Sequence, residues 1–379
     1  MPQVVYILAL FVALTFTGCI VDYEYDAPED SASRTLLVYL GGDNNLSNEA
    51  TAKMHALREG WSGKANEQVV VYLDRYGRPP QLIEFVGTSA DHALGLRTVE
   101  IYDDENSASA EVFGRVIDKV LADYLADKYN LLVFSHASGW LPESSLTNPY
   151  TRSVIIDGTQ EMELTDFAAA IPDGMFGSII FETCFMAGIE VAYELRNKAD
   201  YILASSAEIL SPGFTNIYRN NAARLFGGNP RDFGMAVFDN VLTYVDDNLR
   251  RSATYSVIRT ARLESLAAFI RNECHFGVTV DVSDIQHFDR YAYRLFFDFG
   301  DYYGRLLPND RKRAELAALI DACVIWRAAT PEFMTQQTGY NGFLIEQHSG
   351  LTTYIPQPQF EGLNDSYRSL AWSMATMTY

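Results

Sequence analysis

The chain has 379 residues, 48% of them hydrophobic and 13% aromatic, enough to bury one large core or two modest ones and to exclude disorder over most of its length. Its formal charge of −20 argues against binding a phosphate backbone, so no nucleic-acid role is expected; it leaves a solvated acidic surface that attracts cationic partners through a screened field. Of the four cysteines, Cys19, Cys184, Cys274 and Cys323, none has the spacing of a zinc site, and Cys274 with Cys323 forms either one disulfide or two buried thiols.

Residues 1–18 are apolar and carry no charged side chain, a stretch too short for a membrane span of about 20 residues, and they read as an export signal. The end of that stretch, Phe16-Thr17-Gly18-Cys19, resembles the lipobox of bacterial lipoproteins, which implies lipidation of Cys19. Residues 19–34 then form an acidic tether, with Asp22, Glu24, Asp26, Glu29 and Asp30 and no apolar periodicity. An acidic run at this place resembles the surface-export signal of Bacteroidetes lipoproteins. The expected location is therefore outside the cell, lipid-anchored to the outer membrane or cell surface.

Folded structure is expected from Leu36-Leu37-Val38-Tyr39-Leu40, a buried strand closed by Gly41-Gly42. Asp43-Asn44-Asn45 turns the chain, and Ser47 caps a helix to about Gly60. Val69 to Leu73 is a second strand; Leu82 to Val86 and Leu96 to Ile101 suggest an edge hairpin. Apolar residues at helical spacing from Ser109 to Lys128 predict a long helix on one sheet face. Leu131 to Phe134, Val154 to Ile156, Ser178 to Phe181 and Tyr201 to Ala204 read as strands, Leu164 to Ile171 as a short helix, and Gly188 to Lys198 as a helix leaving directly from Cys184. This alternation predicts an α/β fold with a mainly parallel central sheet and helices on both faces, over residues 35–228. Residues 229–379 read as mostly helical and packed on that core. Helices are expected at Asp232 to Arg250, Ala261 to Arg271, Gln286 to Leu306 and Asp310 to Trp326, and strands at Tyr255 to Ile258, Gly342 to Glu346 and Leu351 to Ile355.

Two strand ends carry the reactive side chains. Leu131 to Phe134 leads through Ser135 to His136, and Ser178 to Phe181 leads through Glu182-Thr183 to Cys184. In open parallel sheets this edge is where ligands bind. An imidazole can raise the thiolate fraction of a neighbouring cysteine and later protonate a leaving amine. A helix starting at Cys184 would help hold the thiolate, and the backbone amides of Cys184 and Ala137 are the candidates to bind an oxyanion. No Gly-rich phosphate loop or GxSxG elbow offers another chemistry.

These residues also carry a family resemblance. Leu132-Val133-Phe134-Ser135-His136-Ala137-Ser138-Gly139-Trp140 is similar to the histidine motif of the clostripain-like cysteine peptidases, and the run from Phe181-Glu182-Thr183-Cys184 to Glu194-Leu195 is similar to their cysteine motif. Tyr39 to Leu46 and Leu351 to Pro356 resemble the family's first and last strands. The resemblance implies a caspase-like α/β/α sandwich, a His136–Cys184 dyad and endopeptidase cleavage of peptides or proteins after Arg or Lys by a monomer. It implies no required cofactor, although some relatives need calcium, for which Asp43, Asp103, Asp104 and Glu105 offer oxygen ligands.

Glu182 stands where the family usually has Asp and is the first candidate to receive a basic P1 side chain; Glu208 is the second. Ala137 stands where the family usually has Gly, and a positive φ there would strain it. Self-processing in the 141–152 loop would fall at Arg152, its only basic residue. The alternative is a catalytically silent surface lipoprotein of the same fold that binds a peptide or glycan.

Overall fold

The structure is a computed structural model and describes residues 33–143, 153–276 and 280–378. Cys19, Arg152 and the export signal lie outside the described residues. The first half contains β1 (Arg34–Gly42), α1 (Ser47–Gly60), β2 (Glu67–Arg75), β3 (Arg78–Phe85), β4 (Leu96–Ile101), α2 (Ala110–Asp123), β5 (Lys128–Phe134), the small hairpin β6 (Ile155–Asp157) and β7 (Gln160–Met162), and α3 (Leu164–Ala169). There follow β8 (Phe176–Glu182), α4 (Ile189–Glu194), β9 (Ala199–Ala204), α5 (Thr215–Asn221), α6 (Arg231–Leu242), β10 (Thr254–Arg259), α7 (Leu263–Glu273), β11 (Phe297–Asp298), α8 (Phe299–Arg305), α9 (Asp310–Cys323) and β12 (Val324–Ala329).

Nine strands form one sheet in the order β12-β10-β9-β8-β5-β1-β2-β3-β4. The run β9-β8-β5-β1-β2 is parallel, with antiparallel pairs closing each side. Because side chains alternate across a strand, Leu37 and Tyr39 enter one core with Val116 and Val120 of α2 and Leu266 of α7. Leu36, Val38 and Leu40 enter the other with Met54 and Leu57 of α1, Tyr218 of α5 and Val237 of α6. The result is a three-layer α/β/α sandwich. β10 and β12 bring the region beyond 228 into the same sheet.

Several local expectations change. The predicted helix from Gln286 to Leu306 is helical only over Phe299–Arg305. Before it, the fully buried carboxylate of Asp289 accepts from the amides of Leu295 at 2.9 Å and Phe296 at 3.0 Å, so a side chain takes donors that a helix would have satisfied internally. The helix expected to reach Trp326 ends at Cys323, and Val324-Ile325-Trp326 continues as a strand, in keeping with β-branched and aromatic residues. Cys274 and Cys323 are free thiols with no disulfide between them, and burial pushes each up to about 12.

Candidate active site

The strand order reverses between β1 and β5, because β2 follows β1 on one side and β5 joins it on the other. A crevice at the carboxyl ends of the strands is expected at that switch point. In the parallel register of β5 and β8, Phe134 lies opposite Glu182. His136 and Cys184 therefore follow equivalent positions on adjacent strands, which run about 4.8 Å apart.

Both residues line one pocket of about 210 Å³. From residue 130 to 141 every residue except His136 is buried, and from 178 to 193 every residue except Cys184. The two reactive side chains are thus the points at which these strand ends reach solvent.

The surroundings fix both groups. His136 Nε2 lies 2.8 Å from Asn45 Oδ1; with the amide oxygen facing the ring, Nε2–H donates and Nδ1 is left as the acceptor nitrogen. Asn45 sits in the turn after β1, and sequence reasoning had assigned it only to that turn. The amide of Ile209 donates to Cys184 Sγ at 3.4 Å, which favours the thiolate. The expected helix stabilisation does not occur: a turn follows Cys184, and α4 begins only at Ile189. The turn is braced by the C-terminal segment, where Thr352 N donates to Ala187 O at 2.9 Å and Tyr354 N to the buried Glu190 Oε1 at 2.7 Å.

Ala137 is not among the residues with positive φ. The left-handed position is Gly139, at φ +64, where a Cβ would come within 2.8 Å of the Phe185 carbonyl oxygen. Phe185 itself has φ +61 and stacks on Phe296 with ring centroids 4.4 Å apart. The bend after Cys184 is therefore held by packing.

The two predicted acids have different fates. Glu182 lines the pocket but is 2% exposed, and it forms an ion pair with Lys53 of α1 at 2.6 Å. Lys53 had not been singled out from the sequence. Glu208 makes a bidentate pair with Arg290, Nε to Oε2 at 2.6 Å and Nη2 to Oε1 at 2.8 Å, and is not among the residues lining the pocket.

Of the candidate calcium ligands, Asp43 meets Asp74 and Asp157, with one oxygen of each within 4.8 Å of the others. Asp43 Oδ1 and Asp74 Oδ2 are buried without a hydrogen-bond partner among the described residues. Burial, and then the charges of Asp157 and Asp43, push Asp74 up to about 7. An all-oxygen set with unsatisfied lone pairs suits a hard divalent cation. Glu105 instead pairs with Arg115 at 2.5 Å; Asp103 and Asp104 are not in the cluster.

The family model of the C11 peptidases, the clostripain family, matches residues 38–374. The chain belongs to the clostripain family. An inactive zymogen C11 protease from Parabacteroides distasonis is 30% identical, with coverage of 91% of this chain and 99% of that one and a TM-score of 0.75. A secreted C11 cysteine protease from Bacteroides thetaiotaomicron, solved with an irreversible peptide inhibitor, is 26% identical over 91% of this chain and 98% of that one, with a TM-score of 0.77. Clostripain of Hathewaya histolytica is 24% identical over 214 residues, and the match spans 48% of this chain and 40% of that protein's length. The three-layer sandwich is accordingly the caspase-like fold of these cysteine peptidases.

Proposed function

We propose that this chain is a cysteine endopeptidase acting through His136 and Cys184. The observation that carries the reading is the pair of registered strand ends, buried throughout except for an imidazole and a thiol that line one pocket. The Cys184 thiolate attacks the peptide carbonyl carbon to form a C–S bond. The amides of Cys184 and Ala137 are the proposed donors to the oxyanion. Collapse breaks the C–N bond as the imidazolium of His136 gives its proton to the departing amine, and His136 then takes a proton from the water that hydrolyses the thioester.

Cleavage after Arg or Lys, which the family resemblance implies, belongs to the same proposal, with Glu182, which lines the pocket and pairs with Lys53, as the acid beside Cys184. Calcium, when bound, would be held by Asp43, Asp74 and Asp157 and would neutralise their mutual repulsion beside the turn that carries Asn45. Cleavage in the 141–152 loop after Arg152 is the proposed maturation step, supported by the zymogen among the similar structures. Export and lipidation at Cys19 belong to the same proposal; radiolabelled palmitate should enter the wild-type chain and not Cys19→Ser.

The test of the reaction is hydrolysis of a fluorogenic peptide library by wild type and by Cys184→Ala. Cleavage abolished in the variant is expected. Equal rates in the two proteins would remove the assignment.

A further inference from the structure

Ser153 opens a segment that grips the histidine turn from both sides. Residues 153–156 are all buried, and Ser153 is 0% exposed. The Ser153 carbonyl accepts from the amide of Ser138 at 3.2 Å, two residues past His136. The amide of Ile156 donates to the Ser135 hydroxyl at 3.1 Å, one residue before it. Behind the segment, the β6–β7 hairpin sets Ile155 opposite Met162 and Ile156 opposite Glu161, and Val154 N donates to Met162 O at 2.9 Å. Whatever fixes Ser153 therefore fixes the turn that carries the imidazole.

Carboxylates converge on the same residue. The Ser153 amide donates to Glu161 Oε2 at 2.8 Å. Its hydroxyl is buried beside Glu163 but outside good hydrogen-bond geometry. Glu163 accepts from the Glu143 amide at 2.7 Å, and burial, followed by the charges of Asp166 and Glu143, holds it above its ordinary value. Negative charge is thus gathered about a donor that carries none.

We propose that cleavage after Arg152 turns this donor into a cation, whose pairing with Glu161 clamps the His136 turn and activates the enzyme. The inference rests on the peptidase reading and on Arg152 as the maturation site. Hydrolysis adds water across the Arg152–Ser153 bond: the C–N bond breaks, Arg152 keeps a carboxylate, and the Ser153 nitrogen becomes an α-ammonium group at neutral pH. Because that nitrogen already lies 2.8 Å from Glu161, the charge arises in place, and an attraction between unit charges is added to an existing hydrogen bond. A buried ammonium is strongly disfavoured unless an acid meets it, and here the acid is seated before the cut. Glu161 is then a positioning residue, acting on the reaction through Ser153 and the Ser138 amide.

The experiment uses the full chain, nicked by brief exposure to immobilised trypsin, with Ser153 as the new amino terminus confirmed by Edman sequencing. Arg152→Ala, exposed to trypsin in the same way, is the uncut control. In nicked Cys184→Ala, which cannot cut itself, the pH dependence of Ser153 acylation by acetic anhydride, read by mass spectrometry, gives the titration of its amine. An α-amine ordinarily titrates at about 7.7–8.0. With Glu161 in place the Ser153 amine should titrate about one unit higher or more, and Glu161→Gln should reverse that rise. In chains that keep Cys184, nicking should raise kcat/KM roughly 5-fold or more over Arg152→Ala, and Glu161→Gln should lose most of the gain.

A Ser153 amine at its ordinary value beside Glu161 would overturn the ion pair, and that measurement needs no variant at Glu161 to fold. A full gain from nicking in Glu161→Gln would overturn the clamp and leave the peptidase reading intact. Absence of any Cys184-dependent cleavage would remove the peptidase reading and the activating role together, while the amine titration still decides the pair.

Discussion

Asn45 gives the sharpest test of how the site is organised, because it acts on the reaction only through His136. Its Oδ1 lies 2.8 Å from Nε2 of a partly exposed imidazole. Such a bond contributes about 0.5–1.5 kcal/mol net. At about 1.4 kcal/mol per tenfold in rate, Asn45→Ala should lower kcat/KM roughly 2- to 10-fold, mainly in kcat, because ring orientation matters in the transition state.

Asn45→Asp separates orientation from charge. A carboxylate about 4 Å from the imidazolium charge is worth about 1 kcal/mol in bulk water and about 4 at an effective dielectric of 20. For this partly exposed ring the lower part of that range applies, and one pK unit corresponds to about 1.4 kcal/mol. The alkaline limb of the kcat/KM profile, where the imidazolium loses its proton, should therefore move up by about one unit. Full activity in Asn45→Ala, or an Asn45→Asp profile that does not move, would refute the orienting role.

Iodoacetamide at neutral pH should alkylate Cys184 well before Cys274 and Cys323, whose thiols burial holds near 12; peptide mapping showing equal labelling would contradict an activated Cys184. Gly139→Ala forces a left-handed alanine against the Phe185 carbonyl and should cost about 1–3 kcal/mol in urea unfolding, with activity falling as the two strand-end loops separate. Asp74 is held above its ordinary value, so folding favours its protonated form and stability falls as pH rises from about 4 to about 7. In chelator, Asp74→Asn should melt higher than wild type at pH 8, by on the order of a few kcal/mol at about 1.4 per pK unit, and the gap should close toward pH 4. Calcium at pH 8 should raise the wild-type melting temperature and leave that of Asp74→Asn unchanged.

How much of this was legible in the sequence follows from how far each signal reaches along the chain. The parallel strands and their reactive ends were readable because each is a continuous apolar run followed by a polar turn, a pattern contained within about ten residues. The break before α8 was hidden because it depends on Asp289, one carboxylate that captures amides several residues on. Asn45 and the Ile209 amide approach the dyad from two other strand ends, and nothing local marks them as partners.

Lys53 is the instructive case, since its signal was present. The buried positions of α1 include Ala50, Lys53, Met54 and Leu57, the spacing of an apolar stripe, so a lysine stands where the helix faces the core. A buried ammonium requires an acid, and the acid preceding Cys184 was already in view as a pocket floor. Joining the two identifies Glu182 and Lys53 as partners in an internal ion pair. The family resemblance thus accounts for the position of the site, while Lys53, a residue outside its motifs, completes the ion pair beneath it.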